Sequence, residues 1–234
     1  MTRSARERSE SGFYHVVAKG NGGQNLFEDA SDYRAFLELA AAAAEKCDIL
    51  VYAYCLMSNH VHLLLEDRGN RLSDFMKSLI TGYAMRFNAK TGHIGHVFQQ
   101  RFKSQPVESE TYLLQAARYI HNNPAKAGVC SADEYLWSSY HEYASGVRGI
   151  TAVSLILELC GGREGFRAFQ ARGGKAIIAL ASVRGSPTAR PETSRCVSLA
   201  ILPRETSKRW SDHAAMRYSL TLRMRACPCV RSRG

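Results

Sequence analysis

The sequence has no long apolar segment. No run among its 234 residues approaches the roughly 18 apolar residues that a membrane-spanning helix needs. The charged stretch at residues 1–8 is not followed by the apolar core of a secretion signal. These two features predict a cytoplasmic protein without a membrane partner.

The sequence also lacks a disulfide framework and a zinc motif. Its seven cysteines are scattered and odd in number, which favours a reducing compartment. Cys227 and Cys229 are separated by a single residue, which is not the spacing of a zinc knuckle. We therefore expect an ordinary globular protein with its own apolar core.

The body of the chain has no net charge. The total is +10, but residues 171–234 hold 13 Lys+Arg and 3 Asp+Glu, which leaves 18 of each kind in residues 1–170. No hydrophobic period persists in residues 173–234, which predicts a poorly ordered basic tail. We hypothesise that this tail is not a functional domain. A basic tail binds phosphate polyanions without specificity, so charge alone does not define the function.

Short apolar strands alternate with amphipathic helices along the rest of the chain. Strands are predicted over 13–19, 49–57 and 60–65, with an extended segment over 97–107 and helices over 29–47, 73–90, 110–122, 137–143, 152–160 and 163–171. This order predicts an α+β fold with a ferredoxin-like antiparallel sheet covered by helices.

Two histidines flank a bulky apolar residue in the third predicted strand, at His60-Val61-His62. Side chains two apart on a strand leave from the same face, so both imidazoles can approach one metal ion while Val61 points into the core. Such a pair alone more often serves packing and hydrogen bonding. Other residues must complete any metal site.

Tyr119 and Asn123 lie four residues apart near the end of a predicted helix, so they share a helical face if the last turn reaches Asn123. Two imidazoles and an amide oxygen, with positions left for phosphate and water, suit Mg²⁺ or Mn²⁺. A structural zinc site would need four nitrogen or sulfur ligands. The alternative is that Tyr119 is a core residue with its hydroxyl at the rim.

Four segments of the chain together resemble one protein family. They are residues 54–62 (YCLMSNHVH), 98–104 (FQQRFKS), 119–128 (YIHNNPAKAG) and 137–140 (WSSY). In order and spacing they are similar to the single-tyrosine transposases with a His-hydrophobic-His motif, in particular the branch associated with repetitive extragenic palindromes (REP). The resemblance runs from about Gly12 to Ser145.

The resemblance implies a DNA strand transferase that cleaves and rejoins single-stranded or hairpin DNA. It assigns Tyr119 as the nucleophile that forms a covalent 5′-phosphotyrosine. It assigns His60, His62 and Asn123 as ligands of Mg²⁺ or Mn²⁺, with His121 as a fallback ligand. The oligomeric state, monomer or homodimer, stays open.

The family pattern also implies DNA contacts and a division of the chain. Aromatic and basic residues around Phe98 are expected to stack on bases and bind phosphates. Candidate DNA contacts are Lys19, Asn21, Lys77, Arg86, Lys90, Arg101 and Lys103. The division is a flexible N-terminus (1–11), a catalytic domain (12–145), a helical extension (146–172) and the tail (173–234).

The sequence departs from the family pattern at two places, and three alternative functions are compared with the predicted one. Ser58 stands where the family usually has proline, and Gly22-Gly23 removes a basic residue expected in the loop after the first strand. An inactive relic that binds hairpin DNA without cleaving it is one alternative. A replication initiator or relaxase usually carries its tyrosine elsewhere. A histidine-triad hydrolase would need a histidine where Leu64 stands.

Overall fold

A four-stranded antiparallel sheet is the centre of the fold. The structure, a computed structural model, describes residues 7–172, so the predicted tail at 173–234 lies outside the described residues. The strands are β1 (Phe13–Lys19), β2 (Ile49–Met57), β3 (His60–Asp67) and β4 (Lys103–Pro106). Their order in the sheet is β2-β3-β1-β4. This order confirms the predicted ferredoxin-like α+β fold.

Helices cover both faces of the sheet. They are α1 (Ala30–Cys47), α2 (Leu72–Thr91), α3 (Glu110–His121), α4 (Asn123–Lys126), α5 (Tyr140–Ser145), α6 (Ser154–Cys160) and α7 (Gly162–Ala171), with a short 3-10 turn at Asn21–Gly23. The predicted helices over 29–47, 73–90 and 110–122 agree with α1, α2 and α3 to within one residue at each end. No helix within residues 7–172 is long and apolar enough to cross a membrane.

The first face of the sheet packs on α1 and α2. Its core includes Val16, Phe36, Val61, Leu63, Leu65, Phe75, Leu79 and Tyr83. Helix α1 begins with a capping box between Asp29 and Asp32. Lys90 of α2 lies 2.8 Å from a carboxylate oxygen of each of these residues. Lys90, an expected DNA contact, is thus already paired between the two helices.

The second face packs on α3 and on the helices after it. Ile156 of α6 and Phe166 of α7 are buried in one cluster with Tyr52 of β2 and Ile120 of α3. The helical extension predicted at 146–172 therefore packs into the same core as the preceding residues.

The outer edge of β2 is covered by two later segments. The Leu56 N–H donates to the carbonyl of Trp137 at 2.9 Å, and the Ala152 N–H donates to the carbonyl of Val51 at 2.8 Å. Because residues 137–139 are held in this pairing, the helix predicted over 137–143 begins only at Tyr140. The same pairing shields the edge from other chains.

The segment predicted to be extended over 97–107 forms a regular strand only in β4. Val97 and Phe98 are buried in the first core, where the Phe98 ring centre lies 6.3 Å from that of Tyr83. Phe98 is therefore a core residue, and its expected role in stacking on bases is wrong.

Residues 9–11, the last part of the N-terminus that was predicted to be flexible, are hydrogen-bonded to the rest of the chain. The Ser9 N–H donates to Tyr14 Oη at 2.8 Å, and Ser11 Oγ donates to the carbonyl of Val107 at 2.6 Å. These bonds fix residues 9–11 against the sheet, which corrects the prediction for this part. Residues 1–6 lie outside the described part.

Candidate active site

The two histidines of the sequence motif lie side by side on the second face of the sheet. In β3, His60 pairs with Lys19 of β1 and His62 pairs with Val17. Val61 between them is buried in the opposite core. The ring centres of His60 and His62 are 5.0 Å apart. The alternation predicted from the sequence is confirmed.

Each of the two imidazoles has its Nδ1 atom engaged. His60 Nδ1 lies 2.7 Å from Oδ1 of Asn59. Since an amide oxygen only accepts, Nδ1 of His60 carries the proton and Nε2 keeps its lone pair. His62 Nδ1 lies 3.0 Å from Nε2 of His15, a buried residue of β1. Nε2 of His60 can therefore bind a metal, and Nε2 of His62 can do so in the tautomer that carries its proton on Nδ1.

Both imidazoles are neutral at physiological pH. Burial and the positive charge of Lys19 lower the pKa of His60 to about 4. Burial, followed by the nearby His15, His60, Lys19 and Lys126, lowers the pKa of His62 well below its usual value. A neutral imidazole is the form that binds metal ions, so no proton has to be displaced near pH 7.

Tyr119 of α3 faces the histidines. Its ring centre lies 5.8 Å from that of His62 and 5.8 Å from that of His15. Helix α3 starts at the cap Ser109, whose side chain accepts from the Tyr112 N–H. Tyr119 is half-buried, and burial raises the pKa of its hydroxyl. The phenol is therefore protonated at neutral pH and needs activation to act as a nucleophile.

Asn123 lies one turn beyond Tyr119, as the sequence indicated, but α3 ends before it. The cap Asn122 separates α3 from α4, which starts at Asn123. The side-chain Nδ2 of Asn123 donates to the carbonyl of Tyr119 at 3.0 Å. This bond commits the amide nitrogen and leaves Oδ1 as the atom that can bind a metal.

Positive charge surrounds these residues. Lys126 of α4 places Nζ 3.7 Å from the centre of the Tyr119 ring. Lys19 pairs with His60 across the strands, and Lys103 of β4 pairs with Val17. Burial lowers the pKa of Lys19, and the nearby charge of Lys103 lowers it further. Lys19 and Lys103, both predicted DNA contacts, thus lie at the histidine face.

The other predicted DNA contacts are placed differently. Lys77 and Arg101 line a groove of about 690 Å³ between α2 and residues 95–102. Arg86 is exposed on α2, in the helical layer on the other face of the sheet. Asn21 lies in the loop after β1, where its N–H donates to the carbonyl of Val97 at 2.9 Å. The structure does not gather these residues around Tyr119.

The types of donor present suit a divalent ion that would take further ligands from a substrate. His60 and His62 offer neutral nitrogens, and Asn123 offers a carbonyl oxygen. Within residues 7–172 no group of three His, Cys, Asp or Glu side chains could hold a metal ion. Because an ion held by two imidazoles and an amide would keep its full charge, phosphate oxygens are the natural further ligands.

His121, the fallback ligand, has a structural role. It is fully buried, with Nε2 2.7 Å from Ser139 Oγ and Nδ1 3.0 Å from Gln170 Nε2. Both ring nitrogens are used, so His121 is not available to a metal. Its partners lie in segments far apart in sequence, which no local pattern reveals.

Two residues of the site escaped the sequence analysis. His15 alternates with core residues in β1, and a polar residue in an apolar strand is a signal that was available. Lys126 lies seven residues after Tyr119, two helical turns on, which also places it on the same side.

Comparisons with known proteins bear on the family and the fold. The family described as "Transposase IS200 like" matches residues 9–123, a range that includes His60, His62, Tyr119 and Asn123. Residues 9–123 thus resemble the IS200-like transposases over just under half of the chain. This confirms the family predicted from the four segments. The comparison with curated proteins finds no significant match.

Solved structures give the fold. A REP-associated tyrosine transposase bound to a REP hairpin is 17% identical, with a TM-score of 0.52 over 67% of this chain and 93% of that chain. A putative transposase from Deinococcus radiodurans R1 is 23% identical over 52% of this chain and 97% of that one, with a TM-score of 0.36. The first likeness shows that the chain has the transposase fold.

Proposed function

We propose that the chain is a DNA strand transferase in which Tyr119 is the nucleophile. The observation that carries the proposal is the position of the Tyr119 ring, 5.8 Å from the ring of His62, which in turn lies 5.0 Å from that of His60. A relic under no constraint would not need a nucleophile, two neutral imidazoles and surrounding cations on one face. This arrangement favours an active enzyme over the inactive alternative.

The proposed reaction exchanges one phosphodiester for another. Tyr119 Oη attacks the phosphorus of the scissile phosphate and loses its proton to water. The bond from phosphorus to the 3′-oxygen breaks, and the released 3′-oxygen takes a proton. The products are a 5′-phosphotyrosine and a free 3′-hydroxyl, which can reverse the reaction at a new junction. No external energy source is required, because one ester replaces another.

Cations of the chain would hold the scissile phosphate. Lys19 and Lys126 lie close enough to His62 to depress its pKa, so a phosphate beside His62 would meet both charges. A divalent ion at His60, His62 and Asn123 would further neutralise the phosphate as a Lewis acid. The protein contributes the alignment of Oη with the phosphorus.

Single-stranded or hairpin DNA is the proposed substrate, because an in-line phosphate within a stacked duplex is hard to reach. The structural relative with a TM-score of 0.52 is described as bound to a REP hairpin, which supports this choice. Gln99, which lines the groove with Lys77 and Arg101, donates its N–H to the carbonyl of Lys19 at 2.9 Å. This groove, on the α2 side of the sheet, would bind a part of the DNA away from the scissile phosphate.

A covalent adduct would test the proposal. The full chain is incubated with labelled hairpin DNA and Mn²⁺ or Mg²⁺ and then denatured. We expect a protein–DNA adduct that is lost in Tyr119→Phe and kept in Tyr112→Phe, a matched change on the same helix. Hairpin binding without an adduct would favour the inactive relic. An adduct that persists in Tyr119→Phe would show that another residue is the nucleophile.

A further inference from the structure

A third histidine, His15, is buried beside His62, one of the two proposed histidine ligands of the metal. His15 is 1% exposed, and its Nε2 lies 3.0 Å from Nδ1 of His62. The other nitrogen of His15, Nδ1, is buried without a hydrogen-bond partner. His15 therefore makes a single polar side-chain contact within the described part of the chain, and that contact is to a proposed metal ligand.

The contact between the two rings allows two positions of one proton. If His15 donates from Nε2, neutral His62 must carry its own proton on Nε2, and that nitrogen cannot bind a metal. If His62 donates from Nδ1, its Nε2 lone pair is free. His60 has no such ambiguity, because its partner is the amide oxygen of Asn59. The state of His62 depends on what faces its Nδ1 atom.

We propose that His15 is a positioning residue that accepts the Nδ1 proton of His62 and thereby turns the Nε2 lone pair of His62 toward the metal. The inference rests on the proposed function, since it concerns the metal site of that reaction. A neutral imidazole serves as the acceptor here without adding negative charge beside the phosphate. The arrangement leaves a proton on the unpartnered Nδ1 of His15, a cost that metal binding offsets.

The inference predicts different results for two substitutions of similar size. Glutamine places an amide oxygen about where Nε2 of His15 stands, so His15→Gln keeps the acceptor. Leucine fills the space but accepts nothing. Loss of an outer hydrogen bond to a metal-bound histidine typically weakens metal binding by about 10–100-fold. We expect this loss in His15→Leu and no more than about a threefold change in His15→Gln.

Binding of Mn²⁺ to the full chain, with hairpin DNA present, is the measurement. Titration followed by electron paramagnetic resonance gives the affinity, and the pulsed experiment counts the nitrogens coupled to bound Mn²⁺. Two nitrogens are expected in the wild type and in His15→Gln, and one, from His60, in His15→Leu. In a His62→Ala background, His15→Leu should have no further effect. A general loss of structure would weaken binding in both backgrounds.

The other possible results separate a failure of this inference from a failure of the proposed metal site. Equal Mn²⁺ affinity and two coupled nitrogens in His15→Leu would overturn the inference alone, and three nitrogens in the wild type would make His15 a direct ligand. Absence of Mn²⁺ binding in the wild type would remove the metal site itself, and the inference with it. Thermal unfolding checks that each variant folds. If His15→Leu does not fold, His15→Gln tests the inference instead. Failure of His15→Gln to bind Mn²⁺ would then contradict it.

Discussion

The ammonium group of Lys126 lies 3.7 Å from the centre of the Tyr119 ring. The break between α3 and α4 at Asn122 separates these two residues in the backbone. A cation over an aromatic face attracts the ring and favours the phenolate over the phenol. Burial raises the pKa of Tyr119, and we expect the charge of Lys126 to act against this effect.

Removal of this charge should slow DNA cleavage. In Lys126→Met we expect about a fivefold lower rate of adduct formation, corresponding to the loss of about 1 kcal/mol of cation–aromatic stabilisation. The phenolate fraction rises with pH, so the rate should rise with pH, and this rise should move to higher pH in the variant. Lys126→Arg keeps the charge and should recover most of the rate. A rate profile unchanged in Lys126→Met would contradict this role.

Metal and DNA should each tighten the binding of the other. The proposed ligands His60, His62 and Asn123 bring no negative charge, and Lys19 and Lys126 oppose a cation. A DNA phosphate reverses this balance, so we expect Mn²⁺ to bind at least about tenfold more tightly with hairpin DNA present. Calorimetry with Tyr119→Phe measures both affinities without cleavage.

Reciprocity supplies the control for this coupling. The factor by which DNA strengthens Mn²⁺ binding must equal the factor by which Mn²⁺ strengthens DNA binding. Lys19→Gln should raise the affinity of the free protein for Mn²⁺ and lower its affinity for DNA. Identical Mn²⁺ affinities with and without hairpin DNA would argue against a shared phosphate ligand.

Local sequence patterns predict one part of the fold and of the candidate site, and tertiary contacts determine the other part. The capping residues of α1 and the alternation of β3 are encoded in short segments, so the sheet, the helices and the pair His60 and His62 could be predicted. The contact of His15 with His62 depends on the pairing of β1 with β3. The extended state of Trp137 depends on the edge of β2. Such relations join distant segments, and local periodicity cannot show them.

Acid should destabilise the folded chain at mildly low pH. Burial lowers the pKa of His15 and of His60 to about 4, and that of His121 to about 3. In the unfolded chain these groups take up protons near about pH 6.5. The unfolded state therefore binds more protons between these values, so the free energy of unfolding is constant above about pH 7 and falls as the pH drops toward 4.

Urea unfolding over a pH series measures this decline. His121→Gln provides the control, because glutamine can still bond to Ser139 or Gln170 but cannot take up a proton. This variant should be less stable than the wild type at pH 7 and should lose less stability on acidification. A free energy of unfolding that stays level between pH 7 and 5 would contradict the buried, neutral state of these histidines.

The loop after β1 depends on one glycine that holds it against the histidine motif. The Gly20 N–H donates to the carbonyl of Asn59 at 2.8 Å, next to His60. A Cβ atom at position 20 would lie 2.3 Å from the carbonyl oxygen of Gln24 and 3.3 Å from that of Asn59. Because both are backbone atoms, the loop itself would have to move. We expect Gly20→Ala to lower the free energy of unfolding by about 2 kcal/mol or more.

Gly22 is the matched control for this effect. It has a φ of +60°, and a Cβ atom there would meet nothing within 4 Å. Gly22→Ala should therefore cost only about 1 kcal/mol, from the left-handed backbone. Since the Gly20 loop also positions Asn59, the partner of His60, Gly20→Ala should weaken Mn²⁺ binding while Gly22→Ala leaves it unchanged. Equal losses of stability and Mn²⁺ affinity in the two variants would mean that backbone conformation, and not the close approach at Gly20, governs this loop.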